Sequence, residues 1–176
     1  MALILDTPIH LLVIEAIGVI TSFAMYHLLA LKKKEGWLLY IVGSLCIVYL
    51  MAVKDDWVTV INQSMMILLG AKNYVAFGRV PTLNEKRLDW LSLPVYLASF
   101  FWMKAISVDA FTELLMWGVI IIKTLTLGRG NISGWKWQVL QQFLSTIFGW
   151  QREIYIYVFK SVFQLVQAIW GYWKWK

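Results

Sequence analysis

Seven long apolar runs separated by short charged loops leave this 176-residue chain few ways to fold. The runs cover roughly residues 9–31, 37–53, 57–77, 90–103, 110–127, 135–150 and 154–173. A helix needs about 20 apolar residues to cross a bilayer, within a range of roughly 17–25. The second, fourth and sixth runs sit at or below the low end, so flanking residues or a thinner bilayer must supply the difference. Pro94 interrupts the fourth run, removes a helix hydrogen bond and predicts a kink. The chain is 60% hydrophobic and only 15% charged. A soluble domain of this size has too little interior to hide that much apolar side chain. The pattern predicts an all-α membrane protein with seven transmembrane helices.

The loops carry the orientation. Lys32, Lys33, Lys34, Arg79, Lys86, Arg87, Arg129, Lys174 and Lys176 fall on one side of the predicted crossings. Asp6, the Lys54–Asp56 turn, Lys104 with Asp109, and the Arg152–Glu153 turn fall on the other. The positive-inside rule makes the first side cytoplasmic, with the N-terminus outside and the C-terminus inside. This placement also accounts for the net charge of +6 without nucleic acid as a partner, because the cations serve as topology determinants. Cys46 is alone in an apolar run, and His10 and His27 stand apart from other ligand types, so no disulfide and no metal or other cofactor is expected. Residues 1–8 lack a basic segment and a small-residue cleavage site, so no removable signal peptide is expected.

A shift of 98 residues lays Glu15 on Glu113, Gly36–Trp37 on Gly134–Trp135, Val60 on Val158 and Tyr74 on Tyr172. The matches fall at equivalent helix ends without a gap, which marks an internal repeat. Residues 9–77 and 110–176 then form two three-helix repeats in the same orientation, joined by a connecting helix at 88–106 within a single domain spanning 1–176. Parallel repeats need an odd number of crossings between them, and the fourth helix supplies it. This 3+1+3 plan, which the SWEET sugar carriers share, places a solute site between the repeats near mid-membrane.

Two polar stripes give such a site its candidate lining. On the last helix Lys160, Gln164, Gln167 and Gly171 share one face, and on the sixth Gln138, Gln141, Gln142, Ser145 and Gly149 do. The third helix adds Asn62, Gln63 and Asn73. Amides donate and accept together, which suits a neutral hydrogen-bonding solute. Trp37, Trp57, Trp135 and Trp137 are candidates to sandwich a flat ring. The plainer alternative is that these amides bond neighbouring helices, at about 0.6 kcal/mol each. Trp170, Trp173 and Trp175 read as interfacial anchors, and Met65 and Met66 as packing.

Lys160 is unusual, since a cation inside a membrane helix needs a partner or must snorkel outward. Pairing with Glu113, snorkelling, and direct contact with a substrate carbonyl or anion all remain open. No nucleophile, metal set or phosphate loop marks an enzyme.

Several runs carry a resemblance. Leu31–Trp37 (LKKKEGW), Ile41–Ser44 (IVGS), the pair Asn62–Gln63 and the ending Ala168–Trp175 (AIWGYWKW) resemble, in order and spacing, the PnuC-type vitamin transporters. The resemblance implies a multi-pass protein of the bacterial cytoplasmic membrane, assembled as a homotrimer. It would facilitate uptake of nicotinamide riboside, with cytoplasmic phosphorylation trapping the solute. In the family's sixth-helix pattern, two tryptophans three apart precede an amide or acid. Trp137 and Gln141 match the later places, while Gly134 occupies the first and Trp135 is displaced by one. Nicotinamide riboside and thiamine are cations that Lys160 would repel, whereas riboflavin or a nucleoside would not be. A non-transporting membrane scaffold, in which the stripes only join helices, is the reading from another class.

Overall fold

The computed structural model describes residues 8–80, 82–102, 108–151 and 155–176. Among them are seven helices and no strand: α1 Ile9–Ala30, α2 Gly36–Val53, α3 Trp57–Ala76, α4 Leu83–Trp102, α5 Val108–Gly128, α6 Ser133–Gln151 and α7 Tyr155–Trp175. Local chemistry sets several starts. Asp56 caps α3 by accepting from the Thr59 N–H at 3.1 Å and the Thr59 hydroxyl at 2.7 Å. At α4 the Thr82 N–H donates to the Glu85 carboxylate at 2.7 Å, and the Glu85 N–H returns to the Thr82 hydroxyl at 3.4 Å. This capping box starts α4 at Leu83, earlier than the apolar run beginning at Trp90 suggested, because a capped first turn needs no apolar residues. The helix continues through Pro94.

Helix α1 packs on α2, α2 on α3, α3 on α5, α5 on α6, α6 on α7, and α7 on α1. Six helices therefore close a ring, while α4 lies across the α3–α5 seam and touches only those two among the described residues. The two seams between the halves run parallel. Ser22, Phe23 and Ala30 of α1 meet Gln164, Gln167 and Trp175 of α7 in the same order. Met66 and Leu69 of α3 cluster with Trp117 and Ile121 of α5, and further along Asn73 bonds Thr124.

A whole hairpin recurs at the 98-residue shift. After α1, the Lys32 N–H bonds the Leu29 carbonyl and the Lys33 N–H bonds Leu28, both at 2.9 Å. After α5, Gly130 bonds Leu127 at 2.9 Å and Asn131 bonds Thr126 at 3.0 Å. This is one Schellman stop made twice, with Lys32 and Gly130 both at positive φ, 57° and 68°. The next helix then returns close to the first. A Cβ on Gly36 would lie 2.7 Å from Leu29 Cγ, and one on Gly134 would lie 2.6 Å from Leu127 Cγ. Trp37 and Trp135 are fully buried beside these contacts.

The outer surface is apolar. Ile20, Val75, Phe159 and Val166 are between 62% and 72% exposed. Helices α1 and α2 are long and apolar enough to cross a membrane, and only 11% and 22% of their apolar stretches are buried. The core helix of a soluble protein would be mostly buried. Here the greasy faces point out.

Candidate functional site

Inside the ring, three pairs of repeat-equivalent residues converge. Tyr26 on α1 corresponds to Thr124 on α5, Met25 to Lys123, and Tyr40 on α2 to Gln138 on α6, each at the 98-residue shift. Tyr40 faces Thr124, and Gln138 faces Tyr26, so the same contact is built twice across the two halves. The first contact joins α2 to α5 and the second α6 to α1, so the cluster reaches across both halves of the chain. Its members are unequal, because the first half puts Met25 where the second puts Lys123.

Lys123 ties the cluster together. Its ammonium donates to Tyr26 Oη at 3.0 Å and to Gln141 Oε1 at 2.8 Å, and stands 5.5 Å from the Tyr26 ring centre. The backbones of α1 and α5 do not pack on each other, so the Lys123–Tyr26 bond crosses the ring's interior. Lys123 is 4% exposed, Tyr26 5% and Gln138 0%. Neither amide atom of Gln138 closes a well-directed hydrogen bond. One and two turns further along α6, Gln142 and Ser145 are also buried, the latter donating to Met116 Sδ at 3.6 Å. The cluster is a closed polar interior. A cavity of about 350 Å³ lies elsewhere, on the outer groove between α6 and α7 beside Lys136, Val139, Ile169 and Tyr172, and takes no part in it.

The expected lining divides. Gln138 and Gln141 belong to the cluster, and Asn62 is buried on α3. Gln63 and Trp137 are half-buried on helix faces turned about 100° from their neighbours Asn62 and Gln138. Gln164 donates to the Ser22 hydroxyl at 2.9 Å, and Gln167 to the Phe23 carbonyl at 3.1 Å. Those two amides fasten α7 to α1. Lys160 is half-buried and feels the charges of Glu15 and Lys123. Asp6, Lys104 and the Arg152–Glu153 turn lie outside the described residues, as do the Asp109 and Glu113 side chains.

Several expectations about aromatics are corrected. Trp37 and Trp135 cannot sandwich a solute, because they fill the core against Tyr40 and Trp175. A Cβ on Gly171 would sit 2.6 Å from the Trp135 ring, which leaves no gap. Trp57 is 58% exposed on the outer surface. Trp175 is not a free anchor, since its indole N–H donates to the Leu29 and Ala30 carbonyls at 3.0 and 3.2 Å and so caps α1. Trp170 stacks on His27, whereas Trp173 does face outward. The site also sits away from mid-helix. Lys123 precedes the end of α5 by five residues, about 8 Å at 1.5 Å per residue.

Composition and stripe-counting passed over Lys123, Tyr26 and Tyr40. A signal existed, a lone lysine inside the run Val119–Leu127 (VIIIKTLTL), but only one residue per helix is involved and no stripe results. A second buried ionic group was missed for the same reason. Asp89 of α4 accepts from Lys72 of α3 and, at 3.0 Å, from Arg129 just after α5, clamping the connecting helix to both halves. Compared with family models, curated proteins and solved structures, the chain matches none.

Proposed function

We propose that this chain spans a membrane seven times and carries a small polar solute of the vitamin or nucleoside kind through the ring interior. The observation that carries the reading is the inverted distribution of polarity. A closed ring of six helices turns apolar side chains outward and buries Tyr26, Lys123 and Gln138, with half-buried Gln141 beside them, between its halves. Polar groups inside and grease outside are what a solute path through lipid requires. The parallel halves and odd connecting helix support the 3+1+3 carrier plan. No chemical step is part of the proposal; movement would follow the gradient, with phosphorylation by another protein trapping the solute.

Nicotinamide riboside is the compound that the PnuC-type resemblance puts first, followed by thiamine, riboflavin and plain nucleosides. The same resemblance supports a bacterial cytoplasmic membrane location and a homotrimer, and the distribution of loop cations supports an N-terminus outside and a C-terminus inside. The bonds from Gln164 and Gln167 to α1 favour helix-joining for those two residues, which is what the scaffold reading requires of every polar residue. Solute uptake into liposomes holding the purified chain separates the readings. With Gln141→Ala, a stable protein that no longer takes up solute supports the carrier. Equal absence of uptake in parent and variant supports the scaffold.

A further inference from the structure

We infer that the Lys123 cluster is a binding site for a carboxylate, so that the solute is a small organic anion rather than a cation. The inference deepens the carrier reading and rests on it. The first ground is charge. Lys123 is buried with two neutral acceptors, Tyr26 Oη and Gln141 Oε1, and no carboxylate lies within ion-pair distance among the described residues. Along the elements that build the site, the carboxylates are far away. Glu113 precedes Lys123 by ten residues on α5, about 15 Å along the axis, and Glu15 precedes Tyr26 by eleven on α1, about 16 Å. Asp89 is committed to Lys72 and Arg129. A buried ammonium without a counter-charge is costly, and none of the described residues brings one within ion-pair distance.

The second ground is a count of hydrogens. An ammonium has three donors; two are used, and one remains. The Tyr26 hydroxyl accepts from Lys123, so its own proton is what it has left to give, and Gln138 stands beside it. Neither amide atom of Gln138 has a hydrogen-bond partner, so its N–H groups are unspent in a residue that is 0% exposed. The third ammonium hydrogen and the Gln138 N–H groups are therefore unspent donors around one positive charge, beside the equally unspent Gln138 Oε1. A carboxylate is acceptor-only and takes two or more such donors at once. A pyridinium or thiazolium brings a second positive charge beside the ammonium.

The test compares nicotinate with nicotinamide, which shares its ring but not its charge, and with nicotinamide riboside. Thermal stabilisation of the full chain in detergent and uptake into liposomes are both read. Nicotinate, with benzoate as a second carboxylate, is expected to raise the melting temperature and to enter, with half-saturation about tenfold or more below that of either nicotinamide compound. Lys123→Met should remove the preference. Should that variant not fold, Gln141→Glu provides the second arm, since it puts a carboxylate 2.8 Å from Lys123 with almost no change in shape. It should raise the melting temperature by itself and abolish the nicotinate shift. Unchanged nicotinate affinity in Gln141→Glu overturns the inference. Entry of nicotinamide riboside but not of either carboxylate overturns it while leaving the carrier reading intact. Carboxylate binding without uptake of any solute keeps the anion site and sinks the carrier. No shift and no uptake with any compound overturns both.

Discussion

Replacing Gly128 with alanine puts a methyl group where Asn73 already is. A Cβ at Gly128 would lie 2.1 Å from both Asn73 Cγ and Oδ1, far inside contact distance, on the seam where α5 meets α3. Asn73 is fully buried and its amide donates to the Thr124 carbonyl at 2.9 Å, so it has nowhere to retreat without breaking that bond. Overpacking costs about 1–3 kcal/mol, and the overlap here argues for the upper end. The lost interhelical hydrogen bond adds about 0.6 kcal/mol, while alanine returns about 1 kcal/mol of helix propensity. The net loss is about 2–3 kcal/mol, or about 4–12 °C in melting temperature for a chain of this length. Tryptophan fluorescence during heating in detergent reads it. The double variant Gly128→Ala/Asn73→Ala should recover most of the loss, because the methyl then occupies space that the amide vacated. A melting temperature within 2 °C of the parent for the single variant, or no recovery in the double, would refute the seam as described.

Asp89→Asn leaves Lys72 buried without its counter-charge and should cost about 3–5 kcal/mol. Arg129→Gln removes a partner whose side chain is 46% exposed, and should cost no more than about 1 kcal/mol; equal melting points for the two variants would contradict the clamp. Trp175→Phe keeps the ring against Trp135 but loses the indole bonds to Leu29 and Ala30, for about 0.5–1.5 kcal/mol by thermal unfolding. Ser22→Ala removes the acceptor of Gln164 at a cost of about 0.6 kcal/mol and should leave uptake near the parent level.

Much of the architecture was legible in the chain because it depends on patterns that repeat. Apolar runs gave the helices, and the boundaries of α2, α3 and α6 agree with them to within two residues. Where the pattern is local chemistry instead, as at Thr82 and Glu85, hydropathy placed the start of α4 too late. Stripes of glutamine marked α6 and α7 as inward-facing, yet could not tell which amide meets a neighbouring helix and which meets the cluster. Gln164 and Gln138 look alike in sequence; one is bonded to Ser22 and the other closes no bond.

The sequence by itself determined that the chain is helical, that its apolar residues exceed what an interior can hold, and that Lys32 and Gly130, where the same helix stop is built twice, stand 98 residues apart. Each of these is a property of spacing along one strand of covalent bonds. Tertiary structure decided the rest. Only when the six helices close the ring do Tyr26, Tyr40, Lys123 and Gln138, single residues of α1, α2, α5 and α6 spread over more than a hundred positions, become one cluster. The same closure turned Trp37 and Trp135 from apparent ligand platforms into core, because Tyr40 packs on the first ring and Gly171 and Trp175 close on the second.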